Sequence, residues 1–232
     1  MQQESIDFIN LLATRARSQK RIINPFNAQH WFQGAYRTIQ RRVPVGKFQP
    51  AQKKNCQNLI FASLPQLTPV AFDTDIKKLI ADVAAKFPLS IGQSQKLVNI
   101  LLKYHACLFY SQFDLNWNAK NLWVKDIHAQ QHVPIDTVVL FELCRNDPAS
   151  CSQFVTARSY FSYDKVATRF MWHYTAKIYV PASPTGTGTS VPWSKINDYA
   201  DYFRLQTMIR TLAKAKRVSP LLYEMQFLWA PQ

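Results

Sequence analysis

FPLSIGQSQKLVNILLKYHACLFY (87–110), followed after a polar stretch by HVPIDTVV (132–139), decides how this chain folds. Pro88, Ser90 and Gly92 break the chain, and the text from Gln95 to Tyr110 then runs without a breaker. Its apolar residues predict a helix over 95–110, with Gly92 in a tight turn just ahead and Lys96 as its second or third residue. Pro134-Ile135 ends the second break, and a further helix is expected from about Asp136, with Val138, Val139 and Leu143 facing inward. An amine and a carboxylate thus open two neighbouring helices and point at one place. The start of a helix also offers unpaired N–H groups and a partial positive charge, which suits a phosphate. Ser90, Gly92, Gln93, Ser94 and Gln95 are therefore the expected phosphate contacts.

Working outward, only five glycines occur in 232 residues, so helix should dominate. Apolar stripes predict helices from Ser5 to about Lys20 (Ile6, Ile9, Leu12, Ala13) and over 28–42 (Trp31, Ala35, Ile39). A helix capped by Asp73 or Thr74 should run to Lys86, with Ile76, Leu79, Ile80 and Val83 inside. Residues 111–133 read as a polar, Asn-rich loop. Ser194 to Lys216 reads as helix, and Ser219-Pro220 gives the cap and first residue of the last one. Between them, residues 147–192 form an aromatic-rich insertion that closes on a Thr-Gly-Pro tract and has room for a small hairpin. The expected architecture is mainly α, a single domain over 1–232 in the form of a two-lobed helical bundle.

Composition narrows the function. Twenty-eight Lys and Arg against fourteen acids give a net charge of +14, and residues 1–54 carry ten bases and two acids. Such an excess seeks a polyanion. Aromatics interleaved with charge, as in WFQGAYRTIQRR (31–42), suit nucleic acid better than a lipid surface, which would call for a sustained amphipathic helix. No apolar run of about 18 residues exists, and MQQESIDFINLL lacks the basic start of a secretory signal, so a cytoplasmic protein with no membrane partner is expected. Cys56, Cys107, Cys144 and Cys151 form no C-x-x-C pair, and nothing completes a site around His128 and His132. No metal and no cofactor are expected. No Gly-rich phosphate loop is present, which excludes a P-loop ATPase.

PLSIGQSQK with its apolar helix, followed by VPIDTVV, resembles the helix-hairpin-helix DNA glycosylases, most closely the archaeal 8-oxoguanine DNA glycosylase branch. Gln95-Lys96, Lys103 two turns on, Pro220-Leu221 and Leu228-Trp229 match that branch in order. The match covers roughly 87–143, which the resemblance makes the helix-hairpin-helix and catalytic helices, and 193–229. Ser90 stands where the common hairpin has its first glycine, the loop between Lys96 and Asp136 is longer, and 147–192 has no counterpart. The resemblance implies a monomeric enzyme that flips a modified base from double-stranded DNA and cuts its N-glycosidic bond. Asp136 would stabilise the cationic sugar. Lys96 would attack it as an amine, with abasic-site lyase activity following, or would position water. Lys103, Glu224, Asn10, Trp31 and Trp229 are the candidates for reading the flipped base. The branch implies 8-oxoguanine as substrate, whereas the departures lean towards a bulky hypermodified base such as the glucosylated hydroxymethylcytosine of phage DNA, removed as an antiviral defence. A DNA-binding protein without chemistry, and an interaction protein docking through the insertion, remain as other functions.

Overall fold

The computed structural model describes residues 1–8, 10, 28–40, 43, 46–112, 114–136, 138–140, 143, 155–164, 169–179, 190–191, 193–196 and 198–228. The fold is mainly helical. At its centre lies the helix that the apolar run predicts, here α4 (Ile91–Ser111), buried continuously from Gly92 to Leu108. Around it pack α1 (Ala28–Gln40), α3 (Phe72–Lys86) and two short helices, α5 (Leu115–Lys120) and α6 (Trp123–Ile127). Helix α2 (Pro50–Ser63) leans on α1 and α3. Residues 2–8 and 10 are helical, where the first stripe is expected; the rest of that stripe, to about Lys20, lies outside the described residues. The described residues end in α7 (Tyr199–Ala215) and α8 (Pro220–Tyr223), the latter widening into a π turn over Glu224–Leu228.

Several expected boundaries move, each for a local reason. Helix α4 starts at Ile91 because Ser90 caps it. The Ser90 hydroxyl accepts from Gln93 N while the Gln93 side chain accepts from Ser90 N at 2.9 Å, a reciprocal capping box. Gly92 therefore sits inside the first turn rather than ahead of the helix, and Lys96 lies beyond that turn. Asp73 does not cap α3, whose first helical residue is Phe72 behind Ala71. Its carboxylate instead takes two hydrogen bonds from Arg210. The expected loop 111–133 holds α5 and α6; Asp114 caps α5 by accepting from Asn116 N and Trp117 N. Helix α7 begins at Tyr199, not at Ser194, because Asp198 caps it and Trp193–Lys195 form a 3-10 turn.

Within the insertion, β1 (Val155–Asp164) and β2 (Arg169–Tyr179) pair antiparallel, with Val155 opposite Ile178 and Asp164 opposite Arg169. A two-residue β3 (Ser190–Val191) extends β2 on its other side. No helix among the described residues is long and apolar enough to cross a membrane.

Candidate functional site

A helix buried on all sides is normally apolar. Helix α4 instead buries Gln95, Lys96, Asn99 and Lys103, which share a stripe at helical spacing. Polar groups removed from water need partners, and those partners outline the site.

Lys96 Nζ lies 3.0 Å from Asp136 Oδ2, so the structure joins the two residues expected to meet. The other oxygen of Asp136 accepts from Val139 N at 2.9 Å, making Asp136 the cap of the helical residues 138–140. Lys96 is the more enclosed, with a side chain 9% exposed against 20% for Asp136. The pair therefore opens to solvent on the carboxylate side. Trp193 lies under the amine, its ring centre 4.6 Å from Nζ. An indole face there adds a cation–π attraction and excludes water. Sequence reasoning did not pick out Trp193. Its only visible signal was its place where the insertion ends.

One face of α4 further on, Lys103 Nζ makes two hydrogen bonds to Glu224, 2.8 Å to Oε1 and 2.9 Å to Oε2. Phe8 covers the amine at 4.6 Å. Burial pushes the Glu224 carboxyl upward, opposed first by the Lys103 charge, and Asp136 and Lys96 also act on it. The two ion pairs are thus one electrostatic group seven residues, about 10 Å, apart along the helix. Lys103 and Glu224, both expected to read a base, are each other's partners.

Other candidates fall elsewhere. Trp31 is a core residue: its ring meets His105 edge-on at 4.6 Å and also packs against Tyr104 and Trp117. Buried among these rings, it offers almost no open surface to a base. Asn10 is exposed. Trp229 lies outside the described residues.

The expected phosphate contacts are corrected. Gly92 N donates to Ile196 O at 2.8 Å, Gln93 N to the Ser90 hydroxyl at 3.1 Å and Ser94 N to Ser90 O at 2.8 Å. The Ser90 hydroxyl also donates to Ser194 O. The start of α4 is covered by the 193–196 turn, and Gly92, Gln93, Ser94 and Gln95 are all buried. The N–H groups of Gly92, Gln93 and Ser94 are thus bonded from within and are not free to clamp a phosphate. Gln95 turns instead towards Ile135, bonding both its N–H and its C=O.

A second polar cluster ends near the surface. Arg210 and His132 both bond Asp73. Burial works to raise the Asp73 carboxyl, but the His132 and Arg210 hydrogen bonds outweigh it and hold the group well below the usual carboxylate range. His132 is driven down to about 4 by burial, so near neutrality it is an uncharged donor to Asp73 rather than half of an ion pair.

Comparison with known proteins returns no family that matches this chain and no significant match to a curated protein or a solved structure.

Proposed function

We propose that this chain is a DNA glycosylase that flips a modified base out of the duplex and cleaves its N-glycosidic bond. The observation that carries this reading is the Lys96–Asp136 contact of 3.0 Å, an amine and a carboxylate held together where one side of the pair meets solvent. Breaking the bond leaves positive charge on the sugar, and a fixed carboxylate beside that charge lowers the barrier. Asp136 is fixed, because Val139 N and Lys96 take one oxygen each. In the covalent route, Lys96 passes a proton to Asp136 and its nitrogen bonds to C1′. The C1′–N bond breaks and its electron pair leaves with the base. Asp136 hands its proton to the departing base. The aminal left at C1′ then opens as the C1′–O4′ bond breaks and O4′ takes a proton from the lysine nitrogen. The protonated imine so formed allows strand cleavage. In the hydrolytic route the same pair activates water.

The net charge of +14 supports the polyanionic partner. On this reading helix α3, the break at 87–90 and helix α4 would serve as the hairpin. Its phosphate contacts would come from cations outside the covered turn, such as Lys86 at the exposed end of α3. The substrate is a modified base, with a bulky hypermodified cytosine favoured and 8-oxoguanine as the alternative.

Duplexes that each carry one modified base, scored for abasic sites, test this reading and choose the substrate. Borohydride trapping separates the routes. A trapped adduct that vanishes in Lys96→Gln identifies the covalent route, and base release with no adduct identifies the hydrolytic one. No abasic site on any duplex would defeat the proposal.

A further inference from the structure

Residues 131–135 run buried with neither helix nor strand. Such a segment carries N–H and C=O groups that must find partners. Two glutamines provide them. Gln206 Oε1 accepts from Val133 N at 2.9 Å, and its Nε2 donates to Val133 O at 2.6 Å. Gln95 Oε1 accepts from Ile135 N at 3.1 Å, and its Nε2 donates to Ile135 O at 2.9 Å. Each amide makes the pair of bonds that a neighbouring strand residue would make, on alternate residues. The second rung has a particular address: Gln95 precedes Lys96 and Ile135 precedes Asp136.

This rung is braced from behind. Asn99 Nδ2 donates to Gln95 Oε1 at 3.2 Å and to the Tyr202 hydroxyl at 2.7 Å. The Tyr202 hydroxyl donates to His132 Nδ1 at 2.6 Å, and His132 Nε2 donates to Asp73 at 2.9 Å. The donor order is self-consistent: a neutral His132 with its proton on Nε2 can accept from Tyr202 while donating to Asp73. Gln95, Asn99, Tyr202 and His132 are each at most 1% exposed. A hydrogen-bonded chain thus runs from the surface pair Asp73–Arg210 to the peptide beside Asp136.

We propose that Gln95 is a positioning residue whose rung to Ile135, stiffened by Asn99, Tyr202 and His132, sets the contact between Lys96 and Asp136. The importance of this contact for catalysis rests on the glycosylase reading; its geometry does not. Groups that never touch substrate would then control the pair, and small misplacements of reacting groups cost large factors in rate.

The test reads the pair directly. The full chain is acylated with acetic anhydride at fixed pH, and the Lys96 peptide is followed by mass spectrometry relative to exposed lysines. Wild type is compared with Asp136→Asn, Gln95→Leu, their double variant and Tyr202→Phe, which removes one oxygen and leaves the ring packed. Gln95→Leu should raise the Lys96 rate several-fold, as far as Asp136→Asn does, and the double variant should go no further. Tyr202→Phe should move part of the way and carries the test alone if Gln95→Leu does not fold. An unchanged Lys96 rate in the folded variants, or additive effects in the double, overturns the proposal. On a substrate duplex, Tyr202→Phe should slow single-turnover excision on the order of 10-fold with DNA affinity unchanged. A wild-type chain that excises no base would defeat the glycosylase reading and leave the acylation result to decide this one.

Discussion

The carbonyl of Trp193 fills the place where a side chain on Gly92 would begin, and a Cβ there would also lie 3.2 Å from Ile196 N. The end of the insertion is therefore seated on the first turn of the helix that carries Lys96, and only glycine permits it. Gly92→Ala should destabilise the protein by about 1–3 kcal/mol, since backbone must move on one side or the other. Gly34 in α1 is the control: a Cβ there would meet the Tyr104 hydroxyl at 3.4 Å, an ordinary contact. Gly34→Ala should be neutral or stabilising by up to about 1 kcal/mol through helix propensity. Urea unfolding of both variants checks the contrast, and equal effects would contradict it.

Lys103→Met should cost about 3–5 kcal/mol, because it leaves Glu224 charged and buried without a partner. The sign of its pH dependence follows from burial. Glu224 is already raised in the folded state, so its folded form binds the proton more tightly than its unfolded form. Stability from this group is full below the unfolded value of 4.5 and is lost as pH rises through the folded one. Without Lys103 that loss deepens. Relative to wild type, the variant should recover on acidification from pH 7 towards 5, and adding Glu224→Met should restore much of the loss at pH 7. A pH-independent difference would contradict this account of the pair.

Burial holds His105, His128 and His132 each at about 4, against 6.5 for a free imidazole. Each is depressed, so its contribution is present above 6.5 and lost as pH falls towards 4. Each steepens acid destabilisation by up to about 1.4 kcal/mol per pH unit. His105→Leu should remove one such proton from the uptake on unfolding. Denaturation free energies measured between pH 7 and 4.5 give the slope, and an unaltered slope would mean that His105 titrates normally in the fold.

The strand register sorts a stretch that looks mixed in sequence. Thr156 pairs with Lys177, Arg158 with Thr175, Tyr160 with His173 and Asp164 with Arg169, whereas Phe161 pairs with Trp172 and Tyr163 with Phe170. Arg158, Arg169 and Lys177 thus fall in one alternating set of register pairs, together with Tyr160 and Asp164, and Phe161, Tyr163, Phe170 and Trp172 fall in the other. If duplex DNA is bound through the first set, replacing Arg158, Arg169 and Lys177 with Ala should flatten the slope of log affinity against log salt by up to about 3, near 0.9 per lost phosphate contact. Trp172→Ala should leave the slope alone. Fluorescence anisotropy over a salt series gives both numbers, and an unchanged slope in the triple variant removes DNA from that set.

Much of this was legible in advance where the signal is local. Periodicity placed α3 and α4, and the breaks beside Lys96 and Asp136 brought these two together because each break delivers a helix to the same region. The S-x-x-Q text of Ser90–Gln93 carried the capping box, yet Gly92 drew the reading towards a turn. Nothing local distinguishes a glycine that makes a turn from one that admits a carbonyl 101 residues away. The same holds for Gln95 and Gln206: their partners lie 40 and 73 residues off, so an amide that stands in for a strand looks like any polar helix residue. Trp31 looked available because aromatics beside charge suggest stacking, but three rings already surround it.

The central claim is that the Lys96–Asp136 pair cuts a glycosidic bond, and Asp136→Asn tests it most directly. The substitution keeps the size of the side chain and an acceptor for Val139 N while removing the charge that Lys96 pairs with. Base release under single-turnover conditions should be measured beside DNA affinity on the duplex that wild type processes. Release should fall by several orders of magnitude while affinity stays within a few-fold. Release at the wild-type rate in Asp136→Asn would contradict it.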